Sequence, residues 1–228
     1  VNNKYRTKMF MQMKFSFLFI FLFLGWHIPS WAISNEQATV NAIQKNYESV
    51  LTFQATFEQK AFVKMINRTE ITRGNVQIKK PGKMKWTYNS PDPQILISDQ
   101  KYLWLYTPED EQATKMAIEN VYSSNTPALF LAGQGRLTDI FDTVQVLAKR
   151  DKFIVVFTPK EIESNLSRLL LRANKNNYQI TGATVYDKLG NRTEINFRAI
   201  RTNEEIPESV FDFEVPPGIE IQDFTPSP

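Results

Sequence analysis

The chain has 228 residues, a formal net charge of +3, one histidine and no cysteine. With no thiol it has no disulfide, cysteine nucleophile or thiolate metal ligand, and one imidazole leaves little for histidine-based catalysis or zinc binding. Hydrophobic residues make up 42% of the chain. These counts favour a protein that binds an apolar ligand over one that transforms a substrate.

Residues 1–32 have the pattern of a secretory signal peptide. Basic residues lead into the apolar run Phe15–Leu24, and Ser30-Trp31-Ala32 is a small-x-small cleavage site. An uncleaved anchor is the alternative, but about ten apolar residues are too few to span a bilayer comfortably. Cleavage removes His27, four basic residues and no acidic one, so the net charge changes from +3 to −1 and the case for nucleic-acid binding weakens. We predict one exported domain, residues 33–228.

The remaining chain begins with a helical pattern and continues with strands. Ser34 and Gln37 form a weak capping box, and apolar residues spaced by three and four predict an amphipathic helix over roughly 35–50. Period-two alternation then predicts about eleven antiparallel strands separated by turn residues. The predicted strand segments are 51–58, 71–79, 83–88, 94–98, 102–107, 142–148, 152–158, 166–172, 178–187, 192–200 and 210–215, of which 94–98 is apolar on both faces.

An apolar insert separates the two runs of strands. Thr126 and Pro127 supply an N-cap and a first helical position, and residues 128–132 are apolar on nearly every side. A second short helix is predicted at about 136–141. The fold class we expect is α+β: an incomplete, open antiparallel β-barrel of about 11 strands, with short α-helices as a lid over an apolar cavity.

Catalytic motifs are weak in this chain. Ser98-Asp99-Gln100-Lys101 matches a Ser-x-x-Lys pattern, but it joins two predicted strands instead of starting a helix, and the companion boxes are missing. Glu109–Glu111 offers carboxylates to calcium, yet a solvated hairpin tip explains them better. We therefore expect no enzyme activity, no catalytic residue, no metal site and no cofactor.

The apolar residues admit two interpretations at this point. Alternating apolar residues usually build an ordinary core. However, the insert lacks a polar face, and aromatic residues concentrate on adjacent hairpins as along one wall of a pocket. These aromatic residues are Trp86, Tyr88, Tyr102, Trp104 and Tyr106.

Three blocks carry a family resemblance. They are Lys80-Pro81-x-x-Met84-x-Trp86, then Ile97-Ser98-Asp99 with Leu103-Trp104-x-Tyr106, and Phe211-x-Phe213-x-x-Pro216-x-Gly218. In this order and spacing they resemble the outer-membrane lipoprotein carrier family, LolA. The resemblance implies a monomeric periplasmic chaperone that takes acylated lipoproteins from an inner-membrane ATP-driven extractor (LolCDE-like) and passes them to an outer-membrane receptor (LolB-like). The alternatives are an envelope lipid-binding or lipoprotein-sensing protein of the same fold and a plain periplasmic structural or interaction module.

The resemblance also implies site residues. Leu129, Phe130 and Leu131 would form the lid helix. Lys80 would lock the lid where the family usually has arginine, and we expect a weaker lock because lysine lacks the planar fork of arginine. The face of residues 94–106 that points inward is left open. The residues expected to line the acyl-chain cavity are Val76, Ile78, Met84, Trp86, Ile97, Trp104 and Tyr106.

Overall fold

One large β-sheet dominates the structure. The computed structural model describes residues 30–117, 136–161 and 165–225, and within these it has twelve strands. The strands are β1 Thr52–Val63, β2 Arg68–Lys79, β3 Lys83–Ser90, β4 Gln94–Asp99, β5 Tyr102–Thr107, β6 Gln112–Ala117, β7 Phe141–Ala148, β8 Lys152–Pro159, β9 Leu166–Asn174, β10 Ile180–Asp187, β11 Arg192–Thr202 and β12 Glu220–Asp223.

The sheet is open. Its strand order is β12-β6-β5-β4-β3-β2-β1-β11-β10-β9-β8-β7, and its terminal strands β12 and β7 do not pair with each other. Neighbouring strands are antiparallel except for β12, which runs parallel to β6. In the middle, β1 pairs with both β2 and β11 and so joins the two halves of the chain. The predicted open antiparallel barrel is therefore confirmed.

Two α-helices accompany the sheet in the described ranges: α1, Ser30–Ser49, and α2, Leu137–Ile140. The short helix predicted at about 136–141 corresponds to α2. The first helix begins earlier than predicted, so Ser34 lies inside α1 and does not cap it. No helix in the described segments is both long and apolar enough to cross a membrane.

The C-terminal strand prediction was wrong. Residues 210–215 do not form a strand: Glu208–Phe211 make a 3₁₀ turn, and the last strand is β12, further along the chain. The buried side chain of Phe211 anchors this segment, and Pro216 and Pro217 lack the N–H groups that a ladder needs. Residues 1–29 of the predicted leader 1–32 and the predicted lid residues Leu129, Phe130 and Leu131 lie outside the described residues.

The main core lies between the sheet and α1. We call the side of the sheet that packs against α1 the inner face, and the opposite side the outer face. Because side chains alternate along a strand, each strand contributes every second residue to the inner face. The buried inner-face residues include Phe57, Val76, Ile78, Met84, Trp86, Leu96, Leu103, Val155, Phe157, Leu169, Leu171, Ile195 and Phe197.

Candidate functional site

Four of the predicted cavity residues lie together on the inner face. Val76 pairs with Trp86 and Ile78 pairs with Met84 across β2 and β3. Each is at most 2% exposed, and all four belong to the main core cluster. They form a continuous apolar wall on two neighbouring strands.

The other three predicted cavity residues lie on the outer face. Ile97 pairs with Trp104 across β4 and β5, and neither they nor Tyr106 belong to the inner cluster. The rings of Trp104 and Tyr106 lie 5.5 and 5.7 Å from the ring of Phe213, which comes from the C-terminal segment. The placement of these three on the cavity wall is therefore corrected: they pack under the C-terminal segment. There Ile97 and Trp104 border an outer-face cavity of about 190 Å³.

Sequence reasoning missed the inner-face residues of this hairpin. Leu96 pairs with Leu105, and Leu103 pairs with Ser98, so these side chains continue the wall formed by Met84 and Trp86. Both faces of β4 and β5 carry large apolar residues, so alternation alone does not say which face is inner. The pairing of Trp86 with Leu96 shows which side chains of the hairpin lie on the inner face, because residues directly opposite each other share a face.

α1 covers the wall. Its buried residues Val40, Ile43 and Tyr47 belong to the same cluster as the inner-face residues. Gln44, which is 2% exposed, accepts a hydrogen bond at 2.8 Å from the N–H of Leu137 and so ties α1 to α2. The cavity remaining at the C-terminal end of α1 measures about 30 Å³. A cavity of this volume has room for one or two waters but not for an acyl chain.

Lys80 holds the C-terminal end of α1. Its ammonium group donates a hydrogen bond to the carbonyl of Tyr47 and lies 3.7 Å from the centroid of the Tyr47 ring. That carbonyl is among the last four of the helix, which have no donor within the helix. A cation near this end also interacts favourably with the helix dipole. In the described residues Lys80 thus contacts α1, and its role toward the insert stays a prediction.

Among the described residues, the buried part of the inner face carries no charged side chain, and Lys80 lies at its edge. Burial lowers the pKa of Lys80 to about 8, while the nearby carboxylate of Glu48 opposes this shift. Burial also raises the pKa of Tyr88 to about 12, so this inner-face phenol stays neutral at physiological pH. The wall therefore presents only neutral groups near Trp86, with one titratable cation at the end of the helix that covers it.

We expect the free energy of unfolding to rise by about 1 kcal/mol between about pH 8 and pH 10 because of Lys80. The folded pKa is about 8 and the ordinary value is 10.5, so between these values the unfolded chain binds more protons. Raising the pH then favours the form in which α1 is docked. Partial exposure of Lys80 keeps the effect small. Urea unfolding at several pH values measures it.

The matched variants are Lys80→Met and Lys79→Met. Lys79 is the neighbouring lysine, but its ammonium group donates to the carbonyl of Ile206 at 3.1 Å, away from α1. The pH-dependent gain should disappear in Lys80→Met and persist in Lys79→Met. An unchanged gain in Lys80→Met would show that another group is responsible.

The structure places Ser98, the weak nucleophile candidate, on the inner face. Ser98 is fully buried, its hydroxyl donates to the carbonyl of Gly82 at 3.1 Å, and it accepts from the N–H of Gln100. These contacts give the hydroxyl a structural role at the end of the β3–β4 hairpin. In the described ranges no three His, Cys, Asp or Glu residues cluster as a metal site would require.

Comparison with known proteins identifies the family. Residues 48–214 match the model of the outer membrane lipoprotein carrier protein LolA family. The chain belongs to the LolA family. The matched span runs from the end of α1 to the segment that packs on Trp104, and so includes the whole wall and Lys80.

Individual relatives agree with this assignment. The chain is 28% identical over 192 residues to the outer-membrane lipoprotein carrier protein of Pseudomonas paraeruginosa, covering 84% of this chain and 91% of that protein. It is 29% identical over 186 residues to the protein of the same name from Hahella chejuensis, covering 81% and 88%. An uncharacterized conserved protein from Thermus thermophilus shares the fold, with a TM-score of 0.53 at 10% identity over 83% of this chain and 99% of that one.

Proposed function

We propose that this chain is a periplasmic carrier that binds the acyl chains of lipoproteins released from the inner membrane and delivers them to an outer-membrane receptor. Membership of the LolA family supports the proposal. The observation that carries it is the neutral apolar wall around Met84 and Trp86, covered by a helix that is held at its end by Lys80. A wall of this kind can hold cargo by burial alone, so the role requires no catalysis and no cofactor.

Acyl chains would take the place of α1. Burying Val40, Ile43 and Tyr47 is worth about 1.5–3 kcal/mol each, or roughly 5–9 kcal/mol in total. Each acyl methylene is worth about 0.8 kcal/mol, so about ten methylenes equal the apolar hold of the helix. A lipoprotein with several long chains exceeds this easily, and the cargo can therefore displace α1 from the inner face.

The same energies imply that the carrier needs one partner that loads it and another that accepts its cargo. A bilayer holds the acyl chains at about 0.8 kcal/mol per methylene too, so a carrier gains little by extracting them unaided. We therefore propose that an ATP-driven inner-membrane extractor (LolCDE-like) loads the protein, and that an outer-membrane receptor (LolB-like) accepts the cargo. When the cargo leaves, α1 covers the wall again, which lowers the free energy of the empty carrier.

Val76, Ile78, Met84 and Trp86 are the proposed acyl-chain contacts on the wall. The unbranched thioether of Met84 adapts to irregular chains better than a rigid ring does. Leu129, Phe130 and Leu131 remain proposed lid residues.

Spheroplasts that synthesise a labelled outer-membrane lipoprotein provide the test. The protein, expressed with its own leader and purified from the periplasmic extract, should bring the lipoprotein into the soluble fraction as a one-to-one complex. The complex should be absent when the lipoprotein lacks its acyl chains. Lys80→Ala should raise the ratio of cargo-loaded to empty carrier by about fivefold, because a net loss of about 1 kcal/mol in the hold on α1 favours the open form.

Lys79→Ala is the matched control, since it removes a neighbouring ammonium group that does not contact α1. It should behave like the wild type. No release by folded wild-type protein, with an active extractor present, would overturn the carrier proposal and favour a lipid-binding or lipoprotein-sensing role. Equal retention in both lysine variants would refute the role of Lys80 alone.

A further inference from the structure

Two hairpin turns lie side by side at one end of the sheet. The β1–β2 turn contains Lys64–Ile66, and the β10–β11 turn contains residues 188–191. The main-chain N–H of Lys64 donates to the side-chain oxygen of Asn191 at 3.0 Å, and Phe62 pairs with Arg192 across β1 and β11. Residues 63–68 and 188–192 therefore form one surface, which we call the hairpin-tip surface.

Large apolar side chains are exposed on this surface. Met65 is 91% exposed, Ile66 60% and Leu189 79%, and none of them belongs to the main core cluster. A single exposed apolar residue is ordinary on a protein surface. Three on two adjoining turns form a patch, and such patches mark interaction sites. Their exposure adds nothing to the stability of the sheet.

Basic residues flank the apolar residues along the sequence of both turns. Lys64, Arg68, Lys188 and Arg192 are all exposed, whereas Glu70 is the exposed acidic residue in 62–70 and 187–192. The other acid in these ranges, Asp187, accepts hydrogen bonds from the main-chain and side-chain nitrogens of Asn191 at 2.8 and 2.7 Å. Its charge is thus directed into the turn. An apolar patch flanked by cations complements a lipid surface that carries negative charge.

We propose that the hairpin-tip surface docks on a bilayer of anionic phospholipid. Met65, Ile66 and Leu189 enter the boundary between headgroups and acyl chains, and the four basic side chains lie at the level of the phosphates. The surface is at the far end of β1 from the C-terminal end of α1, separated by a strand of 12 residues at about 3.3 Å each. Docking is therefore independent of the acyl-chain wall and does not rest on the proposed carrier function.

Vesicle flotation without any lipoprotein tests the proposal. The protein, purified from the periplasmic extract, should float with vesicles of phosphatidylethanolamine and phosphatidylglycerol. It should float poorly when phosphatidylcholine replaces the phosphatidylglycerol, and binding should weaken as salt is added. The triple variant Met65→Ser/Ile66→Ser/Leu189→Ser should bind the anionic vesicles about tenfold more weakly. The matched control is Ile221→Ser/Phe224→Ser, which removes exposed apolar side chains of the C-terminal region and should bind as the wild type does.

Several results would overturn the proposal. These are a wild type that does not bind anionic vesicles, equal binding to neutral and anionic vesicles, or undiminished binding by the triple variant. Binding to native membranes but not to pure lipid would indicate a protein partner instead. Self-association that the triple variant abolishes, without vesicle binding, would indicate a second copy of the chain. If the triple variant unfolds, Lys64→Gln/Arg68→Gln serves in its place and should weaken binding to anionic vesicles only.

Discussion

Replacing Trp86 with alanine should lower the free energy of unfolding by about 4 kcal/mol. The indole is 0% exposed and packs edge-on against Phe57, with ring centroids 5.0 Å apart, and its ring lies 6.2 Å from that of Phe197. These residues come from β3, β1 and β11, so the site lies where the two halves of the sheet meet. Rigid strands surround it, and the space cannot collapse on truncation. Urea unfolding followed by far-ultraviolet circular dichroism measures the loss.

Trp86→Phe is the control that separates ring volume from hydrogen bonding. The indole nitrogen is buried and has no hydrogen-bond partner among the described residues. Phenylalanine removes this donor while keeping much of the ring, so it should cost only about 1 kcal/mol. Equal losses in the two variants would contradict this account, because they would mean that the N–H contributes more than the ring.

Replacing Gly74 with alanine should lower the free energy of unfolding by at least about 3 kcal/mol, which is above the usual loss for added volume in a packed site. A β-carbon at this position would lie 1.9 Å from the carbonyl oxygen of Thr87 and 3.0 Å from the ring of Phe57. The oxygen belongs to the backbone of the neighbouring strand, which cannot move away without breaking the β2–β3 pairing. That pairing shifts register between Arg73 and Gly74, where the strands approach closely.

Gly218→Ala is the matched control for Gly74. Gly218 has a φ of +87°, and an added β-carbon there would meet no atom within 4 Å. Gly218→Ala should lower the free energy of unfolding by only about 1 kcal/mol, which is the strain of an alanine in the left-handed conformation. The same unfolding measurement applies to both variants. If the two substitutions cost the same, the clash with Thr87 is relieved by a movement of the sheet, and the close approach does not constrain the β2–β3 pair.

Much of the sheet could be predicted from alternation and turn residues. β3 and β5 fall close to their predicted bounds because Pro81-Gly82 and Asp99–Lys101 break the pattern on either side. Met84 and Trp86 could be assigned to the core since lysine and threonine alternate with them. One face of β3 is therefore polar, so the alternation shows which side chains of this strand point into the core.

The hairpin of β4 and β5 could not be oriented in this way. Both of its faces carry large apolar residues, so the pattern has no polar side to mark the exterior. The outer face is apolar because the C-terminal segment with Phe211 and Phe213 covers it, and this contact spans more than one hundred residues of sequence. The contact of Lys80 with Tyr47 could not be predicted from the neighbouring sequence either, since it depends on where α1 lies over the sheet.

The pairing of β1 with β11 has a consequence for how the chain folds. Phe53 lies opposite Thr202, so the central ladder of the sheet joins residues from the two ends of the domain. Contacts of such sequence separation require closure of a long loop and form slowly. During synthesis, the edge of β1 that faces β11 remains unpaired until β11 has emerged. The chain therefore depends on being kept from aggregating until almost its full length is available.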